Sequence, residues 1–129
     1  MKIENTKAQM RKGVLEFCIL SILNNGDAYT SEILETLKEA EMIVVEGTIY
    51  PLLTRLKNAG LLTYRWEEST SGPPRKYYVL TENGGMFLKE LSKTWNNLIN
   101  SVSQVTSKKS TTNEEDYQHK FRRIFLSYR

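Results

Sequence analysis

The side chains that could do chemistry in this chain fall into two short stretches. Thr48, Tyr50, Pro51, Thr54 and Arg55 lie in one, and Arg75, Lys76 and Tyr77 directly follow Gly72-Pro73-Pro74 in the other. Hydroxyl, guanidinium and ammonium groups bind phosphates and base edges, and nothing near them in the sequence completes a hydrolytic or redox centre. The chain of 129 residues has one histidine, His119, and one cysteine, Cys18. It has no cluster with metal-ligand spacing and no glycine loop for phosphates, so an enzyme lacks its parts and neither a cofactor nor a metal is expected. His119 reads as a surface residue. Cys18 lies in the apolar run from Val14 to Leu23 and reads as a small buried hydrophobe, and a single cysteine allows no disulfide framework.

The elements that must position these residues can be read from periodicity. From Thr6 to Leu23, apolar residues at Leu15, Cys18, Ile19 and Ile22 follow helical spacing, with Asn24, Asn25 and Gly26 as the stop. Gly13 inside that helix is unfavourable by about 1 kcal/mol against Ala, which marks either a close helix contact or an accident. Thr30 or Ser31 can cap a second helix running to about Ala40, with Glu32 in its first turn and Ile33, Leu34 and Leu37 facing inward. Gly47 and Thr48 open a third, with Pro51 expected in the first turn and Gly60 just past the end. At 100° per residue, Ile49, Leu52, Leu53 and Leu56 share one side of it, and Gly47, Tyr50, Pro51, Thr54, Arg55 and Asn58 the other.

Leu62, Tyr64 and Trp66 alternate with Thr63, Arg65 and Glu67 as a strand, and Arg75 to Leu80 reads as a second. The linker Ser69 to Pro74 predicts a hairpin tip stiffened by two prolines. Thr81 then caps a long fourth helix. Three helices, a β-hairpin and a long helix make a mainly α chain with the order of a winged helix-turn-helix, divided as residues 1–81 (DNA-binding domain), 82–107 (dimerisation helix) and 108–129 (a polar linker and a short basic amphipathic helix). The exposed face of the third helix has the small, hydroxylated and Arg side chains that a major-groove reader needs. Arg75 and Lys76 can reach neighbouring phosphates, and Tyr77 adds a hydroxyl.

Global charge does not argue for that partner. The net charge is +3, but residues 1–81 hold ten basic and ten acidic side chains, and the excess sits in residues 108–129. No run of about 18 apolar residues and no signal-peptide pattern is present, so no membrane span is expected and the location read from the sequence is cytoplasmic.

Gly47-Thr48-Ile49-Tyr50-Pro51-Leu52-Leu53-Thr54-Arg55-Leu56, Gly60-Leu61-Leu62, Trp66, and Gly72 through Thr81 resemble the PadR family of bacterial transcriptional regulators. Gly13-Val14-Leu15 and Tyr29 with Glu32-Ile33 extend the resemblance to about residues 8 to 100. It implies a dimeric repressor, less often an activator, that binds a palindromic operator and is released by a ligand or another signal. One departure is Thr30-Ser31, where family members usually carry Gly-Tyr. There Ser31 can bond a phosphate but cannot pack like Tyr, which puts the operator sequence in doubt.

Leu88, Leu91, Trp95, Leu98, Val102 and Val105 are spaced 3, 4, 3, 4 and 3, a heptad seam that needs a partner helix: the first helix, the same helix of a second copy, or both. A two-fold dimer would set two reading helices about 34 Å apart, one DNA turn. Trp95 resembles the position from which family members present a ring to planar aromatic ligands, and it reads equally as a packed interface residue beside Met86, Phe87 and Ile99. In the tail, Tyr117, Phe121, Ile124, Phe125 and Tyr128 follow helical spacing among basic residues, open to packing on the dimer, to DNA or protein contact, or to an anionic membrane surface. The rival function is a winged-helix adaptor that binds protein and not DNA.

Overall fold

The structure, a computed structural model, describes residues 1–107 and Arg122. Residues 1–92 form one compact unit, and a second begins at Lys93. In order the elements are α1 (Ile3–Lys12), α2 (Leu15–Asn24), β1 (Ala28–Tyr29), α3 (Thr30–Glu39), α4 (Glu46–Asn58), β2 (Leu62–Ser69), β3 (Gly72–Leu80) and α5 (Glu82–Ser107). This is a mainly helical winged-helix chain with a small antiparallel sheet and a long C-terminal helix. The proposed helix in the tail lies outside the described residues.

The expected first helix is two. It breaks at Gly13 and Val14, where the Val14 N–H turns back to the Arg11 carbonyl at 3.0 Å and the Val14 carbonyl accepts from Cys18 to start α2. Glycine followed by a β-branched residue is the weakest place in the run to continue a helix. No close contact explains Gly13: a Cβ there would meet only the Met10 carbonyl, at an ordinary 3.7 Å. The glycine that does mark close approach is Gly84 in α5, where a Cβ would stand 1.9 Å from the Leu61 carbonyl oxygen.

The cap of α3 falls one residue before Thr30, the earlier of the two expected caps, so Thr30 and Ser31 lie in its first turn. Tyr29 is its N-cap, and the Glu32 carboxylate accepts from the Tyr29 N–H at 3.1 Å. At its other end Glu41 takes a left-handed conformation, φ 62°, and the Met42 N–H reaches back to the Leu37 carbonyl at 2.7 Å. That closing turn, usually made by glycine, redirects the chain toward α4. Helix α4 begins at Glu46, so Pro51 is its sixth residue and not part of the first turn. Its missing N–H leaves the exposed Gly47 carbonyl without the usual helical donor.

The sheet has the order β1-β3-β2, all antiparallel, with β1 a two-residue strand that periodicity could not reveal. The turn of the hairpin is Thr70-Ser71, and the two prolines are inside β3 instead of at its tip. The register passes from Glu67↔Arg75 to Ser69↔Gly72, so Pro73 and Pro74 together face Glu68 across a bulge. Residues without an N–H are tolerated at such an interruption of the ladder.

One core joins these elements: Leu15, Ile19, Leu20 and Leu23 from α2, Ile33 and Leu37 from α3, Ile49, Leu53 and Leu56 from α4, Leu62 and Tyr78 from the sheet, and Leu88 from α5. Full burial of each large apolar side chain is worth about 1.5–3 kcal/mol. The start of α5 is fastened to the end of α4. The Thr81 hydroxyl donates to the Gly60 carbonyl at 2.7 Å and accepts from the Gly84 N–H at 3.0 Å, as a capping residue should. The Thr81 N–H donates to the Leu61 carbonyl at 3.2 Å.

Candidate nucleic-acid interface

Burial of Ile49, Leu53 and Leu56, with Leu52 half-buried, fixes the rotation of α4 about its axis. Gly47, Tyr50, Pro51, Thr54, Arg55 and Asn58 are all exposed as a result, the face that helical spacing assigns to solvent or to a partner. The sheet presents β3 beside it. Successive strand residues point to opposite faces, so Lys76, Tyr78 and Leu80 share a side with Tyr64 and Trp66, while Arg75 and Tyr77 share the other with Tyr29, Arg65 and Glu67.

Three elements converge on one open cleft of about 530 Å³, lined by Tyr29, Thr30 and Ser31 at the start of α3, Glu46, Tyr50 and Thr54 on α4, and Arg75, Lys76 and Tyr78 on β3. Five of the expected contact residues, Ser31, Tyr50, Thr54, Arg75 and Lys76, meet there. The cleft combines hydroxyls with two cations and carries one carboxylate, Glu46. Thr48 is exposed but lines a different depression, with Arg11, Lys12 and Val45 among its neighbours. Pro51 stands exposed between them in sequence. Arg55 is ion-paired, its Nη2 2.6 Å from Oε1 of Glu16 on α2. Tyr77 is half-buried, with the Arg65 guanidinium 4.8 Å from its ring centre. Desolvation raises its phenol above the ordinary range, with Glu67 and Glu32 adding to the shift, so the hydroxyl remains a neutral donor.

The two wing cations are held differently. Lys76 is half-buried, its Nζ 4.2 Å from the ring centre of Tyr64 and 5.5 and 5.9 Å from those of Trp66 and Tyr78. Arg75 is exposed and makes a cation–π contact with Tyr29, 4.8 Å from guanidinium carbon to ring centre. Arg65 donates to Glu67 at 3.2 Å and to Asp27 at 3.3 Å, and these hydrogen bonds, Glu67 first, raise its pKa further. Reading for capping and groove chemistry missed Tyr29. Its signal was present as Glu32 three positions on, the spacing of an N-cap and its reciprocal carboxylate.

In α5, Leu88 belongs to the core and Leu91 is half-buried against it. In the second unit Trp95 is 38% exposed, Leu98 and Val102 50% and Val105 77%. None of the helices among the described residues is long and apolar enough to cross a membrane.

The family model described as transcriptional regulator PadR-like matches residues 19–90, more than half of the chain. The chain belongs to this family. The matched stretch contains α3, α4, the sheet and the whole cleft. Among solved structures, this PadR-family chain is similar to a PadR-like transcription factor from Bacteroides fragilis, 58% identical with a TM-score of 0.67, covering 78% of this chain and 98% of that one. It is also similar to a PadR family transcriptional regulator from Eggerthella lenta, 30% identical with a TM-score of 0.75, covering 82% and 93%. A transcriptional regulator of Escherichia coli is 35% identical over 81 residues, 60% of this chain and 37% of that protein. The chain thus matches little more than a third of the length of that relative.

Proposed function

We propose that this PadR-family regulator binds double-stranded operator DNA as a homodimer and represses transcription in the cytoplasm until a ligand or another signal releases it. The observation that carries the reading is the cleft: Ser31, Tyr50, Thr54, Arg75 and Lys76, from three elements, face one space beside the exposed side of α4. The N-terminal half of α4 enters the major groove, where Thr48, Tyr50, Pro51 and Thr54 meet base edges and thymine methyls. Arg75, Lys76, the Ser31 hydroxyl and the Tyr77 hydroxyl take phosphates, which fix register without reading sequence. Arg55 joins them by exchanging Glu16 for DNA, so Glu16 lowers affinity for any duplex and leaves more of the selection to the helix. The work is binding, with no catalytic step.

Dimerisation supplies the second reading helix. Leu98, Val102 and Val105, half or more exposed on the last turns of α5, are the apolar positions that a second copy would cover, continuing a seam whose first members, Leu88 and Leu91, pack instead on the chain's own core. Trp95 serves either as a packed member of that interface or as the ring that meets a planar aromatic ligand.

The test is a gel-shift titration against the region upstream of the protein's own coding sequence over a series of salt concentrations, for the wild type and for Arg75→Ala with Lys76→Ala. The wild type should bind with a salt slope that becomes shallower by about two in the double variant, about 0.9 per lost phosphate contact. An unchanged slope removes the wing from the contact set. Absence of binding at low salt favours the protein adaptor.

A further inference from the structure

Arg55, Arg65 and Arg75 stand on α4 and the wing, and two of them are held by carboxylates: Arg55 by Glu16, Arg65 by Asp27 and Glu67. Among the described residues Arg75 is in no salt bridge, although Glu67 is its direct partner in the β2–β3 register. The Glu67 carboxylate lies on Arg65 instead, at 3.2 Å. What Arg75 has is the ring of Tyr29, 4.8 Å from its guanidinium carbon.

Tyr29 is itself fixed from three directions. It caps α3, with its N–H donating to Glu32 at 3.1 Å, and it pairs with Tyr77 as half of the two-residue strand β1. Its ring meets that of Tyr77 edge-on, centres 5.1 Å apart and planes at 84°. A ring attracts a guanidinium through its π face without neutralising its charge and is a far weaker hydrogen-bond acceptor than a carboxylate, so the N–H donors remain for a phosphate. A salt bridge to Glu67 would occupy those donors and cancel the charge. Tyr29, Ser31 and Arg75 line the same cleft.

We propose that Tyr29 is a positioning residue for DNA binding, a ring that holds Arg75 against the start of α3 and away from Glu67, so that the guanidinium meets phosphate unneutralised and with few rotamers left to lose. The proposal rests on the DNA-binding reading of the cleft. It assigns the wing's two cations different supports: Lys76 is caged on the side of the sheet that faces the core, and Arg75 is braced from the helix-turn-helix. Fixing a long side chain before contact removes part of the conformational cost of binding.

The experiment is fluorescence anisotropy with a labelled duplex of the upstream region, for the wild type, Tyr29→Phe, Tyr29→Leu, Arg75→Ala and Tyr29→Leu with Arg75→Ala, with thermal midpoints recorded for each. Tyr29→Phe keeps the ring and should bind within about twofold of wild type, while Tyr29→Leu should bind about two- to fivefold more weakly, the range of an exposed cation–π contact. In the Arg75→Ala background, Tyr29→Leu should cause no further loss. An equal loss in both backgrounds would mean that Tyr29 serves the fold of α3 and β1 alone, and overturns the proposal. So does a Tyr29→Leu variant that binds like wild type while Arg75→Ala is weakened, or an Arg75→Ala variant that binds like wild type. If the wild type does not bind the duplex or a random one at low salt, the DNA reading itself falls and this inference with it.

Discussion

Gly84 and Gly85 are adjacent in the first turns of α5, and replacing each with alanine should move stability in opposite directions. A methyl at Gly84 would stand 1.9 Å from the Leu61 carbonyl oxygen, 2.9 Å from its carbon and 2.7 Å from Cδ1 of Leu80. The leucine methyl can rotate aside. The carbonyl cannot, because it follows the end of α4 and accepts from the Thr81 N–H at 3.2 Å. Overpacking of this kind costs about 1–3 kcal/mol, and displacing the carbonyl from its donor adds about 0.5–1.5. The better helix preference of alanine returns at most about 1 kcal/mol, leaving Gly84→Ala destabilised by about 2 kcal/mol. A methyl at Gly85 has nothing within 4 Å, so Gly85→Ala should gain up to about 1 kcal/mol. Urea unfolding followed by far-UV circular dichroism, at one fixed chain concentration because association shifts the midpoint, measures both. Equal midpoints, or Gly84→Ala as the more stable variant, would refute the argument that α5 is seated on the end of α4 through this contact.

Two further outcomes are expected. Leu98→Glu places a charge on an apolar position that is half exposed in the single chain, so it should abolish the proposed dimer, read by light scattering, while leaving the circular dichroism of the chain unchanged. A mutant that remains dimeric moves the interface away from the last turns of α5. Burial pushes the Cys18 thiol up from its ordinary value, so less of the reactive thiolate is present at mildly alkaline pH. Iodoacetamide should therefore alkylate the folded protein more slowly than the urea-unfolded chain, with the folded rate rising at higher pH, and equal rates would place the sulfur in solvent.

Much of α4 and its exposed face was legible because it depends on short-range order. The spacing of Ile49, Leu53 and Leu56 fixes which face of α4 is buried, and burial then exposes Tyr50, Thr54 and Arg55 without further information. Thr81 as the cap of α5 follows from its type and place. Strand alternation puts Arg75 and Lys76 on opposite faces of β3, although both line the cleft, and the different supports of the two cations follow from that period of two. The break at Gly13 is signalled too, by a residue of poor helix preference within an otherwise continuous apolar stripe.

The sequence by itself determined the helices, the hairpin strands and the family resemblance, since propensity, periodicity and ordered motifs are local. It also bounded the chemistry, having one histidine and one cysteine to offer. Tertiary structure decided the partnerships. Arg55 lies 39 positions from Glu16 and Arg75 lies 46 from Tyr29, and no pattern along the chain encodes which cation meets a carboxylate and which meets a ring. Strand β1 exists because β3 offers it a ladder, and Gly84 is required because the Leu61 carbonyl passes there. Such contacts depend on how the elements dock around the shared core, where burial is non-directional and only the packed arrangement assigns each polar group its neighbour.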